Sequence, residues 1–171
     1  QVGDVRSPNA FYGPVINGKA MSKVRAHVQD ALNQGATLLT GGNVHRGLTF
    51  QPTVLLNPPR HARVWSEETF GPVMTVSRAQ SAEHALELAN DTEFGLAAYF
   101  YARDLSRVFR VAEALEYGMV GINTGLISNE VAPFGGMKQS GLGRENSPAA
   151  LEAYTQLKSV YVELGDVDSP Y

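Results

Sequence analysis

The 171-residue sequence contains no cysteine. That excludes disulfides and all thiolate chemistry within these residues, and it suits a reducing cytoplasm. An excess of positive charge is also lacking. The 14 Lys and Arg stand against 17 Asp and Glu, for a formal net charge of −3. Nucleic-acid binding is therefore not expected, because its phosphate term needs clustered basic residues. No apolar run approaches the roughly 20 residues of a membrane span, and no targeting segment opens the chain, so a membrane partner is not expected either. Histidine is sparse. His27, His45, His61 and His84 are scattered without metal-ligand spacing, and no metal site is expected. There is no internal repeat and no low-complexity tract. The opening Gln1-Val2-Gly3-Asp4 has no initiator Met and reads as a chain cut from something longer.

What is present is ordinary for a soluble globular domain: 43% hydrophobic and 18% charged residues, in a length that fits one domain with a real core. Residues 1–17 hold Pro8, Gly13 and Pro14 without a sustained period and read as an irregular lead-in. Met21, Val24, Val28, Ala31 and Leu32 recur at helical spacing, with Gly35 as the stop. Short strands are expected at 36–40, 53–56 and 73–76. Ser81 reads as the cap of a helix with Ala82, Ala85, Leu86 and Ala89 on one face. A buried strand over 96–101 precedes a helix capped by Asp104, which carries Leu105, Val108, Phe109, Ala112 and Leu115 and stops at Gly118. A strand over 119–123 follows. This alternation predicts βαβ units and an α/β fold, mostly a parallel sheet flanked by helices.

Residues 124–146 are glycine-rich, without helical or strand period. Such a loop inside a domain is functional or disordered, and Val131, Phe134, Met137 and Leu142 argue against disorder. Ser147-Pro148 reads as a helix start. Over 157–164, Val160, Val162 and Leu164 alternate with Ser159, Tyr161 and Glu163, which makes a terminal strand that wants a partner sheet.

Glu67-Glu68-Thr69-Phe70-Gly71-Pro72-Val73 resembles the cofactor-contact stretch of the aldehyde dehydrogenases. The match continues in order through Phe94-Gly95-Leu96, Gly121-Ile122-Asn123, Pro133-Phe134-Gly135-Gly136 and Ser140-Gly141-Leu142-Gly143-Arg144-Glu145, from about Val2 to Val162. The resemblance implies that the chain is the C-terminal portion of that family's catalytic domain. Residues 1–156 would be a partial catalytic domain, and 157–171 an oligomerisation strand and tail. The nucleotide-binding domain and the nucleophilic cysteine with its general base would lie outside these residues, shortly before Gln1 in the case of the cysteine. No catalytic residue is then expected in the chain itself.

Residue by residue, the resemblance gives Glu68 two hydrogen bonds to a ribose diol and places Phe70 beside the nicotinamide ring. Alone, Glu68 would read as a solvated acid and Phe70 as core packing. Gly125-Leu126-Ile127-Ser128-Asn129-Glu130-Val131-Ala132-Pro133-Phe134-Gly135-Gly136 resembles the substrate-entrance loop of succinate-semialdehyde dehydrogenases, in which the serine at Ser128 bonds the distal carboxylate of the substrate. Phe134 would belong to the aromatic wall of the aldehyde tunnel, and Glu145 to a proton path beside the cofactor cavity. Asn123 would brace the backbone near the active site. The family usually has Gly after Arg-Glu, where this chain has Asn146. Gly141-Leu142-Gly143-Arg144-Glu145-Asn146 begins like a dinucleotide fingerprint but ends in Asn, with no clear strand before it.

The implied parent enzyme oxidises an aldehyde with NAD or NADP: a thiolate attacks the carbonyl, hydride leaves to the nicotinamide, and water hydrolyses the thioester. Succinate semialdehyde is the expected substrate, and glutarate semialdehyde or another ω-carboxy aldehyde the alternative. The terminal strand implies a homo-oligomer. The rival reading is a non-catalytic assembly module.

Overall fold

The computed structural model describes Val2, Gly3 and residues 6–165. The tail 166–171, read together with the terminal strand, lies outside the described residues. The length of one domain is divided into two compact units, residues 1–81 and 82–171.

In unit 1, Asn17 caps α1 (Gly18–Asn33) by accepting from Ala20 N–H, and the periodic residues Met21, Val24, Val28 and Ala31 are buried. Gly35 adopts φ 106 just past the helix end, the left-handed geometry expected of a stop there. Strand β1 (Thr37–Thr40) leads into a hairpin that sequence reading passed over, β2 (Val44–Arg46) and β3 (Thr49–Phe50). Its turn is signalled only by Gly47, at φ 54. Phe50 is one of the largest fully buried side chains of the chain. Strand β4 (Thr53–Leu56) follows, then the short helix α2 (Arg63–Ser66) and β5 (Val73–Val76). Strand β4 pairs antiparallel with β1 and parallel with β5, in the order β1-β4-β5. The core packs α1 against Ala36, Phe50, Leu55 and Ala62, with Trp65 and Val73 beside it. The described residues of the lead-in are irregular as expected and are tied down by Tyr12 O–H donating to the Phe50 carbonyl, 2.6 Å.

In unit 2, α3 (Ala82–Asn90), β6 (Phe94–Gly95), β7 (Ala97–Phe100), α4 (Leu105–Ala114), β8 (Met119–Ile122) and β9 (Met137–Lys138) precede a 3-10 helix, Pro148–Ala153. Asp104 caps α4, accepting from Arg107 N–H at 2.7 Å, and Ser147 caps the 3-10 turn. Strands β7 and β8 pair in parallel through α4, which is a βαβ unit; β6 pairs antiparallel with β9.

Two expectations need correction. Among the described residues no single, mostly parallel sheet forms: four small sheets contain two parallel and three antiparallel pairings. The β2–β3 hairpin and the β6–β9 pair are built from strands too short to show a period in the sequence. Second, α4 ends at Ala114, with Leu115 as its extended C-cap, three residues before Gly118. Gly118 is needed for another reason, since a Cβ there would collide with the Gly135 carbonyl oxygen. Residues 157–164 take no ladder partner among the described residues, and Leu157, Tyr161 and Leu164 are fully exposed, so the expected strand does not fold back within the chain. A strand exists only where another strand takes its backbone bonds.

Candidate functional site

The segment 67–73 connects α2 to β5, and α1 holds it from one side. The Glu67 carboxylate accepts from Arg63 Nε–H at 2.7 Å and Nη2–H at 2.9 Å, a bidentate pair one helical turn apart. These bonds, aided by His27, pull the Glu67 carboxyl down to about 2. His27, on the buried face of α1, is wholly inaccessible. Its Nε2 lies 3.1 Å from Glu67 Oε2 and its Nδ1 3.0 Å from Thr69 Oγ1. An ionised carboxylate only accepts, so the Nε2 carries the proton and donates to Glu67. One turn along α1, Asp30 accepts from Arg63 N–H at 2.9 Å and so caps α2, whose own N-cap Ala62 offers no side chain. That bond holds the Asp30 carboxyl below its usual range.

Glu68, between the two gripped residues, is exposed and has no side-chain partner among the described residues. Phe70 is 78% exposed at φ 48, a left-handed conformation that is unusual for a bulky aromatic residue. Gly71 then passes against α1, where any Cβ would overlap Val24 Cγ2. Pro72 gives its carbonyl to Thr53 N–H at 2.8 Å, registering the segment on β4.

In unit 2, Asn123 directly follows β8. The amide of Asn123 accepts from Ala102 N–H (2.9 Å) and donates to the Ala102 carbonyl (2.8 Å), so it braces the ends of β7 and β8. Contacts within unit 2 pin the loop beyond. Ile127 lies over Gly121, where a Cβ would come within 2.9 Å of Ile127 Cγ2. Asn129 Oδ1 accepts from Val131 N–H, and the Glu130 carbonyl accepts from Ser147 N–H. Ser128 is exposed on this loop. Phe134 and Glu145 exchange both backbone bonds, at 2.8 and 2.7 Å, and with Leu96, Leu142, Arg144 and Tyr154 they line an open recess of about 400 Å³. Arg144 donates to the carbonyls of Gly136 and Gly143. Asn146 and Ser147 take φ 56 and 55, so the position after Arg-Glu calls for left-handed backbone, which Gly adopts freely and Asn tolerates.

The structure thus brings Phe134 and Glu145 to one recess, puts Ser128 on the loop before it and outside its lining, and presents Glu68 and Phe70 together on the α2–β5 segment of unit 1. Sequence reading missed His27, Asp30, Arg63 and Thr69. Two polar residues, His27 and Asp30, spaced i and i+3 within the apolar period of α1 were the available signal. Among the described residues no cluster could hold a metal, and no helix is long and apolar enough to cross a membrane.

Residues 1–160 match the aldehyde dehydrogenase family, and the chain belongs to that family. Among its relatives, the glutarate-semialdehyde dehydrogenase of Pseudomonas putida is 54% identical over 96% of this chain and 34% of its own length. The NADP(+) succinate-semialdehyde dehydrogenase of Escherichia coli is 55% identical over 95% of this chain and 34% of its own length. A crystal structure of succinate-semialdehyde dehydrogenase from Burkholderia pseudomallei aligns at TM-score 0.86 and 58% identity, over 90% of this chain and 32% of that one. The chain spans about a third of the length of the curated relatives it matches.

Proposed function

We propose that these residues are the C-terminal part of the catalytic domain of an NAD- or NADP-dependent aldehyde dehydrogenase acting on an ω-carboxy aldehyde. Succinate semialdehyde, oxidised to succinate, is the first choice; glutarate semialdehyde is the alternative. The observation that carries the reading is the level of identity, above half over almost the whole chain, to relatives bearing both names. The chain has no cysteine, so in this reading the attacking thiolate comes from residues outside these 171. The exposed apolar side of α4, with Leu105 and Phe109 in solvent, also suits a part of a larger body. Residues 1–156 serve the catalytic domain, 157–171 serve assembly into a homo-oligomer, and the enzyme works in the cytoplasm.

The side chains on the α2–β5 segment fit a nicotinamide nucleotide. Glu68 offers an unengaged carboxylate that a ribose diol can satisfy with two donors, and Phe70 offers an exposed flat ring. When bound, the nucleotide supplies the two-electron acceptor. In unit 2, Ser128 Oγ–H donates to the distal carboxylate of the substrate, Phe134 lines the aldehyde path, and Glu145 takes and passes a proton at its carboxylate. Ser128→Ala in the longer enzyme tests the substrate class. Losing a hydrogen bond to a charged group lowers kcat/KM for succinate semialdehyde about tenfold or more and spares butyraldehyde. An equal fall for both substrates refutes the assignment.

A further inference from the structure

We propose that His27 is a positioning residue for the cofactor-facing segment: its one imidazole grips the residues on either side of Glu68 and so fixes the direction in which Glu68 and Phe70 point. The inference rests on the reading of Glu68 as a cofactor contact and adds to it the group that sets its geometry.

Three observations carry it. The imidazole is wholly buried, and a buried ring of this kind needs partners for both nitrogens. It finds them two residues apart, in Glu67 Oε2 and Thr69 Oγ1. The backbone at Glu67 is extended, φ −113 and ψ 131. In extended chain alternate side chains point to opposite sides, so drawing residues 67 and 69 toward α1 turns residue 68 away from it. Glu68 is exposed and unengaged, Thr69 is half-buried, and Glu67, though part-exposed, is held by His27. The next residue, Phe70, is then held at φ 48, a conformation that persists only where its surroundings over-determine it. Below it Gly71 abuts Val24, three residues before His27 on the same helix, so the segment is fixed to α1 on both sides of Phe70. At the other end Asp30 anchors Arg63 N–H and Arg63 anchors Glu67. The first Glu of the Glu-Glu pair, part-exposed, is therefore engaged by His27 and Arg63, and the second is left for a ligand.

The test uses the longer enzyme with Thr69→Val, Thr69→Ser, His27→Gln and Glu68→Gln, and reads KM for cofactor and aldehyde separately. Thr69→Val is nearly isosteric and removes only the hydroxyl that Nδ1 holds. We expect it to raise the cofactor KM about five- to tenfold, the factor one lost hydrogen bond gives, with the aldehyde KM at saturating cofactor within about twofold. Thr69→Ser restores the hydroxyl and the cofactor KM. His27→Gln keeps a donor toward Glu67, loses the second contact, and behaves as Thr69→Val does; should it fail to fold, the two Thr69 variants decide alone. If Glu68→Gln raises the cofactor KM while Thr69→Val only lowers thermal stability, or moves both KM values equally, His27 is merely structural and the inference falls. If Glu68→Gln leaves cofactor kinetics unchanged, the reading of Glu68 falls and the inference falls with it.

Discussion

Gly71 sits where the α2–β5 segment crosses α1, and replacing it with Ala tests whether that crossing is as close as described. The backbone there is not left-handed, so alanine brings no φ penalty, and the effect comes from contact. The added Cβ overlaps Cγ2 of Val24, a fully buried residue, with Val24 Cγ1 at 3.4 Å. Forcing a methyl into a packed core costs about 1–3 kcal/mol, and the reduced freedom of the unfolded chain returns about 0.4–1. Val24→Ala alone removes two methyl groups, about 0.8 kcal/mol each, plus a cavity term, or about 2 kcal/mol. Were the sites independent, the costs would add. They share one space, so the double variant should be about 1–2 kcal/mol more stable than the sum, the range of coupling for residues in contact. Trp65 is the only tryptophan and packs on this core, so its fluorescence follows unit 1 alone during urea unfolding. With a slope of about 1–2 kcal/mol per molar urea, Gly71→Ala moves the midpoint down by about 1 M. A wild-type midpoint for Gly71→Ala, or strict additivity in the double variant, refutes the packing described.

Glu67 has a folded-state pKa near 2, lowered by Arg63 and His27, so its ionised form contributes stability above its unfolded value and loses it as pH falls through the folded one. The Trp65 unfolding midpoints of wild type and Glu67→Gln should therefore differ at pH 6 and converge between about pH 4.5 and 2; a constant gap would contradict this. The 171-residue chain alone, having no thiol, should reduce neither nucleotide with succinate semialdehyde, and turnover by a preparation free of longer enzyme would refute that. If 157–164 is an assembly strand, light scattering should show association for the chain and less for one ending at Tyr154; two monomers at micromolar concentration would exclude it.

Much of the fold was legible where a period runs long enough. The apolar repeat from Met21 to Ala31, the cap at Asp104 and the strands at β4, β5 and β8 followed from spacing alone. The β2–β3 hairpin was not, because five strand residues cannot show an alternation. Nor was the exposure of α4: an apolar stripe says that a helix has something to bury, and not whether the cover lies among these residues. Gly118 was read as a helix stop, yet what requires glycine is a backbone passing close by from a position distant in sequence. Of the candidate site, Glu68, Phe70, Ser128, Phe134 and Glu145 were named from motif order. Their scaffolding was invisible for a physical reason. His27 and Thr69 are 42 residues apart, and pairing them requires knowing that α2 returns the chain to α1.

The central claim is that these residues belong to a dehydrogenase for ω-carboxy aldehydes. The most direct measurement is kcat/KM for the longer enzyme across succinate semialdehyde, glutarate semialdehyde and butyraldehyde, with NAD and NADP in turn. The account predicts nucleotide reduction with at least one of the two carboxylated aldehydes at an efficiency about tenfold or more above butyraldehyde, the contribution of a hydrogen bond to a charged group. Equal efficiency for all three aldehydes, or no reduction of either nucleotide, would contradict it.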